Sequence, residues 1–388
     1  MLEVLNTLLW GPGTLALILG TGAWLTLRTG GFPQRNLGRA LTLSLGREAR
    51  RKGRGGVSPF GSLMTALAST VGTGNIVGVA AALVSGGPGA LVWMELAALL
   101  GLAAKFAECM LAVKYRHVRR DGTRWGGPMA VMETRLGSAG AVLGRFYALF
   151  ALLMAFAMGA MAQSGALADT FSAAFTLPRW RVGLVTAALA LTILLGGIRR
   201  IAEISTVLVP VMALLYLGGG LAVILGNLRR LPEAVTLMLR CAVAPEAALG
   251  GALGIVTRRE ALRWGVARSV FSNEAGLGSA AITAACADTE DPVKQGLISM
   301  TGVFFDTMVI CAVTGLAICC SGTLGAADGN GRPLTGAALT LRAFETVLGP
   351  LAPWLIGVAL GLFAFTSVLG CAVQAETTAS YLLGPEAV

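Results

Sequence analysis

Apolar stretches of about 20 residues recur along the sequence, and they restrict the possible folds of this chain more than any other feature. Only 13% of the 388 residues are charged, whereas a soluble domain carries about a quarter. One helical crossing of a bilayer needs about 20 apolar residues. Since a soluble core of this size does not account for so many apolar windows, the sequence predicts an all-α polytopic membrane protein.

The windows predict about nine membrane crossings within a single transmembrane domain, residues 1–388. The first follows MLEVLNTLLW, which lacks the basic region and small-residue cleavage site of a secretory signal, so we expect a retained helix. A region of mixed composition lies at 231–262, and the polar loop GTLGAADGNGRP precedes the last window. The windows lie at 12–27, 60–83, 89–113, 142–173, 182–197, 203–226, 263–286, 296–320 and 351–383.

The net charge of +10 comes from basic residues that cluster in alternate loops, at 28–54, 114–124 and 199–200. The intervening loops hold fewer basic residues, and loops rich in arginine and lysine face the cytoplasm. The pattern therefore favours a role in membrane topology, with the N-terminus outside and the basic loops in the cytoplasm. No nucleic-acid partner is expected, and the expected location is the cell membrane.

Cysteine and histidine usage argues against disulfide, metal and catalytic sites. The seven cysteines lie mostly in apolar runs, their number is odd, and no CxxC motif occurs. The only histidine, His117, lies in a basic loop, whereas a rhomboid-like intramembrane protease needs a histidine base beside a serine in the membrane. We therefore expect no enzymatic activity and no organic cofactor.

Two apolar segments are interrupted by glycines and polar residues: TVGTGNIVGV at 70–79 and FSNEAGLGSA at 271–280. Paired interruptions of this kind in two inverted halves indicate the binding site of a secondary transporter. Freed backbone carbonyls can hold a cation, and freed N–H groups can hold a carboxylate. The alternative is close helix packing through small residues such as Gly74 and Gly78. Spacing alone does not decide between the two, but the adjacent polar residues favour a site.

Ionisable residues inside apolar segments are costly and usually functional. Glu274 either tunes ion binding or caps a broken helix, and a structural hydrogen bond to the unwound backbone is slightly favoured. Asp306 is as consistent with a structural role as with a place near a bound cation. Lys105 and Glu108 lie three residues apart on one helix and are expected to form a structural ion pair.

The stretch SPFGSLMTALASTVGTGNIVGVAAALVSGGPGALVWM, residues 58–94, closely resembles the signature of the sodium:alanine symporter family, the alanine or glycine:cation symporters. The resemblance covers nearly the whole chain from Asn6. It rests on further matches in the same order: LAAKFAECMLAVKYR, GGPM, MAQSGALAD, GGIRRIAE, LVPVMALLY, FSNEAGLGSA, DPVKQGL, FFDTMVIC and FAFTSVLG.

The resemblance implies the amino acid–polyamine–cation type of fold, with five-plus-five inverted repeats and an extra N-terminal helix. The first repeat is expected at about 58–226 and the second, incomplete, at about 245–388. Because the chain ends at Val388, the last two core helices are expected to be missing. The implied activity is sodium-coupled uptake of a small neutral amino acid, alanine or glycine, by alternating access. The sequence does not indicate an oligomeric state.

Residue roles follow from the same resemblance. Sodium is a hard cation that prefers oxygen ligands, and the resemblance implies the hydroxyls of Thr366 and Ser367 with the carbonyls of Ala68 and Val71. Glu274 and Asp306 are expected to be structural or to tune ion binding. The implied substrate-binding residues are Thr73, Gly74, Asn75, Gln163, Phe271, Ser272, Asn273, Gly276 and Cys371.

One departure concerns the expected pocket. The sequence at 370–376 reads GCAVQAE, and Cys371 stands where the family pattern has a tryptophan, which predicts a larger or differently shaped pocket. The alternative function is a truncated or repurposed membrane protein that binds an amino acid without coupled transport.

Overall fold

The computed structural model describes residues 11–51, 57–118, 122–175, 177–243, 246–248 and 255–384. Almost all of them are helical. The first half contains α1 (Pro12–Arg28), α2 (Phe32–Arg35), α3 (Leu37–Leu45), α4 (Pro59–Thr70), α5 (Val79–Gly86), α6 (Gly89–Lys114), α7 (Pro128–Met154), α8 (Gln163–Phe175), α9 (Arg179–Leu194) and α10 (Gly197–Gly226).

The second half is also largely helical. It contains α11 (Leu231–Val243), α12 (Arg258–Asn273), α13 (Ser279–Ala285), α14 (Pro292–Val303), α15 (Ala312–Ser321), α16 (Gly336–Leu348) and α17 (Ala352–Leu383). Three π-helical segments, Gly74–Gly78, Ala155–Ala162 and Phe304–Cys311, lie between α-helices. Short 3₁₀ turns occupy Arg47–Arg50, Leu228–Arg230 and Gly349–Leu351.

Two short antiparallel hairpins complete the described fold. The first pairs β1 (His117–Val118) with β2 (Arg124–Trp125), with His117 opposite Trp125. The second pairs β3 (Glu246–Ala248) with β4 (Ile255–Thr257), with Ala247 opposite Val256.

Among the described residues, five helical stretches are long and apolar enough to cross a membrane, and a sixth crossing is formed if α4 and Gly74–Gly86, bent by 54°, are one span. This confirms the prediction of an all-α polytopic membrane protein. Helices α1, α9 and α12 are 17, 16 and 16 residues long, slightly shorter than the roughly 20 residues of a straight crossing. The total of about nine crossings stays a prediction.

Helix boundaries differ from the sequence prediction mainly where composition is mixed. Helix α7 begins at Pro128 rather than near 142, but Gly137 has non-helical angles (φ 60°, ψ −134°) that separate its polar first part from its apolar remainder. Helix α16 lies in a stretch for which no helix was predicted. Glycine tolerates the positive φ at Gly137 because it lacks a Cβ atom.

The largest apolar core surrounds α4, the segment after it and helices α10, α15, α16 and α17. Tyr216 lies at its centre, with its ring 5.6 Å from the rings of both Phe344 and Phe363. The Tyr216 hydroxyl shares a 2.8 Å hydrogen bond with the buried Thr314 hydroxyl. This packed core gives the interrupted helix a rigid support on one side.

Two interrupted helices, α4–α5 and α12–α13, run antiparallel along their whole length. Helix α4 contacts α13, and helix α5 contacts α12, so the two interruptions lie side by side. Three pairs of neighbours show the register: Gly86 with Trp264, Asn75 with Ser272, and Ser62 with Thr283.

Candidate functional site

The first interruption, here called the first break, lies at Val71–Gly78. Helix α4 is capped at its start by Ser58, whose hydroxyl oxygen accepts the Gly61 N–H at 3.0 Å, and it ends at Thr70. Val71 then adopts an extended conformation (φ −75°, ψ 90°), and the Gly72 N–H donates to Asn75 Oδ1 at 3.2 Å. A side chain therefore replaces the helical backbone acceptor at this point. The predicted break of the helix is confirmed.

Asn75 joins the first break to the second interrupted helix. Its Nδ2 donates to Asp306 Oδ1 at 2.8 Å and to Ser272 Oγ at 3.3 Å. Asp306 Oδ2 accepts from Ser272 at 2.6 Å and from Thr307 at 3.1 Å. All four side chains are buried, and a carboxylate is tolerated at such a place when several donors surround it. Asp306 thus lies where the two interrupted helices meet, which the sequence did not resolve.

Gln163, at the start of α8, contacts the first break. Its Oε1 accepts from the Thr73 hydroxyl at 3.1 Å and from the Thr73 N–H at 3.4 Å. A methyl group added at Gly72 would lie 2.7 Å from Ser367 Oγ and 3.2 Å from Gln163 Nε2. The structure therefore brings Thr73, Gln163 and Ser367 together around Gly72, and a side chain at this glycine would separate them.

The second interruption, here called the second break, lies at Glu274–Gly278. Glu274, Gly276 and Gly278 have positive φ angles of 54°, 87° and 81°. Glu108 Oε2 accepts the freed N–H groups of Gly276 at 3.1 Å and Gly278 at 3.0 Å. Its other oxygen lies 3.3 Å from Lys105 Nζ, so the predicted ion pair is confirmed. The contact of Glu108 with the second break was not predicted.

Glu274 and Asn273 hold the same break from within. The Glu274 carboxylate accepts the hydroxyl of Ser279, the first residue of α13. Asn273 Oδ1 accepts the Ala275 N–H at 2.9 Å, and its Nδ2 donates to Thr307 at 3.0 Å. The backbone contacts expected of Glu274 are thus made by Asn273 and Glu108, while Glu274 binds a neighbouring hydroxyl.

Thr366 and Ser367 lie on α17, both fully buried. Thr366 donates to Leu362 O at 2.9 Å and Ser367 to Phe363 O at 2.9 Å, so the lone pairs of both hydroxyl oxygens remain as acceptors. A methyl group added at Gly370 would lie 2.4 Å from Ser69 N, which shows how closely α17 approaches the end of α4.

The residues predicted to bind sodium therefore lie along one helix contact. Ala68 and Val71 are buried on α4 and just after it, on either side of Ser69 and next to Gly72. Among the described residues, no group of three or more His, Cys, Asp or Glu side chains could hold a metal ion. A cation at this contact would depend on neutral oxygen atoms, which sodium accepts.

Cys371 is buried where α17 crosses the π-helical segment Ala155–Ala162. A methyl group added at Gly159 would lie 2.2 Å from Cys371 Cβ and 2.7 Å from its Sγ. Cys371 therefore packs against the segment that precedes Gln163. A large side chain at this position would have to displace that segment.

Arg268 is a charged residue at the site that the sequence reasoning did not single out. Its guanidinium carbon lies 4.4 Å from the centre of the Phe271 ring and packs against Gly74 and Gly78 of the first break. The signal that could have found it is an arginine inside the apolar window 263–286, the same argument that selected Asp306.

The site thus consists of two interrupted antiparallel helices joined by buried polar side chains, and the sequence that forms it matches a known family. The sequence model of the sodium:alanine symporter family matches residues 1–388. The chain belongs to the sodium:alanine symporter family.

Individual relatives agree with this assignment. An uncharacterized transporter of Haemophilus influenzae is 44% identical over 99% of this chain and 82% of its own length. The sodium/alanine symporter AgcS of Methanococcus maripaludis is 40% identical over 100% of this chain and 84% of its own. The probable sodium/glutamine symporter GlnT of Bacillus subtilis is 37% identical over 98% and 76%.

Family membership confirms the resemblance read from the sequence motifs. The family consists of membrane transporters rather than enzymes, and it is named for transport coupled to sodium. Together with the long apolar helices, this makes the chain a multi-pass membrane transporter for which sodium is the implied coupling ion.

Proposed function

We propose that this chain couples sodium entry to the uptake of a small neutral amino acid, alanine or glycine, by alternating access. Its membership of the family and its similarity to the relative named a sodium/alanine symporter support this function. The observation that carries the proposal is the junction of the two breaks, where Asn75 donates to Asp306 at 2.8 Å beside the Thr73–Gln163 contact.

The substrate is proposed to bind at the first break. The Thr73 N–H donates over 3.4 Å to Gln163, which is a long hydrogen bond, so a substrate carboxylate can replace Gln163 as its acceptor. Gln163 Oε1 is then free to accept from the substrate ammonium. Gly74 belongs to the proposed pocket and Phe271 supplies an apolar wall beside it, whereas the Gly276 N–H is already accepted by Glu108, so Gly276 is left out of the pocket. The proposed pocket also includes Asn75, Ser272, Asn273 and Cys371.

Sodium is proposed to bind between Thr366, Ser367 and the carbonyls of Ala68 and Val71. The close approach of α17 to the end of α4 supports this, because it brings the neutral Ser367 hydroxyl to Gly72 and the backbone of α17 to Ser69. Asp306 and Glu274 are assigned structural roles. Asp306 accepts hydrogen bonds from Asn75 and Ser272, and Glu274 accepts one from Ser279.

The proposed architecture is of the five-plus-five inverted-repeat type with an extra N-terminal helix, α1; the first repeat lies at about 58–226, and the helices from about 245 belong to the second. The antiparallel course of α4–α5 and α12–α13 supports it, since equivalent helices in inverted repeats run in opposite directions. The proposed topology places the N-terminus outside the cell and the basic loops in the cytoplasm, as the charge distribution favours. The location is the cell membrane.

A larger neutral amino acid such as glutamine is the second candidate substrate. One observation favours it: a relative is named a probable sodium/glutamine symporter.

The test is uptake of labelled alanine, glycine and glutamine by the purified chain in liposomes with an inward sodium gradient. Accumulation that disappears when sodium is replaced by potassium would support the proposal, and the preferred label would identify the substrate. Sodium-dependent binding without accumulation would support the alternative of an uncoupled binder. If the chain neither binds nor takes up any of the three amino acids, the proposed function is overturned.

A further inference from the structure

A cavity of about 230 Å³ lies beside the first break, between α5 and α12. Its walls are mostly apolar and small, with Gly78, Ala81 and Ala82 on one side and Trp264 and Ala267 on the other. Two charged residues line it, Arg263 and Arg268, and none of the described lining residues is acidic. The cavity therefore favours an anionic group.

The guanidinium of Arg268 is built into the wall nearest to the first break. A methyl group added at Gly78 would lie 1.9 Å from its Cζ atom, and one added at Gly74 would lie 2.2 Å from its Nη2. Two glycines of the break are thus what allows the guanidinium to lie there. On its other side it covers the Phe271 ring at 4.4 Å.

This guanidinium has unused hydrogen-bonding capacity. Both Nε and Nη2 are buried, and neither has a hydrogen-bond partner among the described residues. The nearby carboxylate of Asp306 is already bonded to Asn75, Ser272 and Thr307. A buried charge without a partner is costly, and in membrane proteins such a residue is usually functional.

We propose that Arg268 binds the α-carboxylate of the bound amino acid where this cavity meets the first break, alongside the Thr73 N–H. A guanidinium offers paired N–H groups that match a carboxylate. The cavity volume is below the roughly 300–1,000 Å³ of pockets for drug-sized ligands, which suits a small molecule. Since Arg268 touches Gly74, the residue after Thr73, its guanidinium lies at the proposed substrate site.

This inference rests on the proposed function and names one further residue for it. The competing interpretation is that Arg268 only stabilises the fold, by covering Phe271 and offsetting the charge of Asp306 from a distance. A purely structural role would change the affinity for all ligands equally. A carboxylate-binding role would change it only for ligands that have a carboxylate.

The experiment compares alanine with alaninamide, in which a neutral amide replaces the carboxylate. Each unlabelled compound competes with sodium-driven uptake of labelled alanine, and the ratio of the two inhibition constants is taken within each variant. In Arg268→Gln we expect alanine to lose about tenfold to a hundredfold of its advantage over alaninamide, the effect of losing hydrogen bonds to a charged group. In the matched control Arg259→Gln, an exposed arginine at the start of the same helix that is not among the lining residues, the ratio should change less than about twofold.

Arg268→Lys extends the test, because it keeps the charge but loses the paired geometry, so it should show an intermediate ratio. If Arg268→Gln does not transport, the ratio is read from Arg268→Lys and from equilibrium binding to the purified protein. A ratio equal to that of the unmodified chain in both variants would overturn the proposal.

An inorganic anion is the alternative ligand for this cavity, and the anion of the buffer tests it. Replacing chloride by isethionate should leave uptake unchanged, whereas a chloride requirement that Arg268→Gln abolishes would assign the cavity to an inorganic anion and overturn the carboxylate. Failure of the unmodified chain to accumulate alanine would contradict the proposed function. The role of Arg268 would then be decided by the same ratio in equilibrium binding.

Discussion

The two breaks differ in what satisfies their freed backbone N–H groups. At the second break, a carboxylate of the protein does so, because Glu108 accepts from Gly276 and Gly278 at 3.1 and 3.0 Å. At the first break, the acceptors are neutral amide oxygens. Gly72 donates to Asn75 at 3.2 Å, and Thr73 donates to Gln163 at 3.4 Å.

This difference assigns different roles to two segments that look alike in sequence. Freed N–H groups at a helix end attract carboxylates. A ligand carboxylate at the second break would have to displace Glu108, which is also paired with Lys105. At the first break, a ligand carboxylate would replace only the long hydrogen bond from the Thr73 N–H to the neutral Gln163 amide. We therefore infer that the first break binds the substrate and that the second is a fixed support.

The largest predicted effect concerns the support. Glu108→Gln should lower the free energy of unfolding by about 3–5 kcal/mol, because it leaves the buried Lys105 without its counter-charge. Thermal unfolding of the purified protein in detergent measures this. Glu345→Gln, which removes one partner of the more exposed Arg342 pair, is the control and should change stability little. Equal losses in the two variants would contradict a supporting role for Glu108.

The second prediction concerns the junction of the breaks. Asn75→Ala removes the hydrogen bond that Asn75 donates to Asp306 at 2.8 Å. The free energy of unfolding should fall by about 1.5–3 kcal/mol, and uptake should be abolished. Unfolding and uptake are measured on the same preparation. Asn227→Ala, which loses a bond from its side chain to Val223 O at 3.0 Å, is the control and should keep transport. Normal uptake by Asn75→Ala would show that the two breaks act independently.

The third prediction concerns the sodium contact beside the first break. Thr366→Val removes a proposed oxygen ligand, so the sodium concentration for half-maximal uptake should rise about tenfold, equivalent to about 1.4 kcal/mol. Uptake is measured over a series of sodium concentrations. Thr378→Val changes another buried threonine of α17, which bonds to Gln374 O at 2.7 Å, and it should have no such effect. The same sodium dependence in both variants would remove Thr366 from the proposed site.

The smallest predicted effect concerns Gln163. Gln163→Ala should raise the KM for alanine about fivefold, since it removes one partly exposed neutral hydrogen-bonding group worth about 1 kcal/mol, while stability changes by less. Ser164→Ala is the control, because that hydroxyl bonds within its own helix. An unchanged KM with lowered stability would make Gln163 a structural contact between helices.

The helices and the positions of the breaks could be predicted from sequence because both depend on local properties. Apolar windows of membrane-spanning length identify the helices, and glycines beside polar residues identify the first break at 70–79. The ion pair of Lys105 and Glu108 was predictable for the same reason, since the two residues are three apart on one helix.

The contacts that distinguish the two breaks could not be predicted in this way. Glu108 meets Gly276 and Gly278 across far-separated helices, and Asp306 meets Asn75 across another long separation. Nothing in the local sequence states which acid reaches which break, because that depends on how the helices pack. Helix α16 escaped prediction because it follows a polar loop and carries charged residues.

The most direct test of the inferred division of roles is hydrogen–deuterium exchange of the two breaks in the purified protein. Backbone amides that bind a ligand exchange more slowly. With sodium present, saturating alanine should slow exchange in peptides covering residues 67–79 clearly more than in peptides covering residues 271–280. Equal protection of both, or stronger protection at 271–280, would contradict the assignment of the first break as the substrate site.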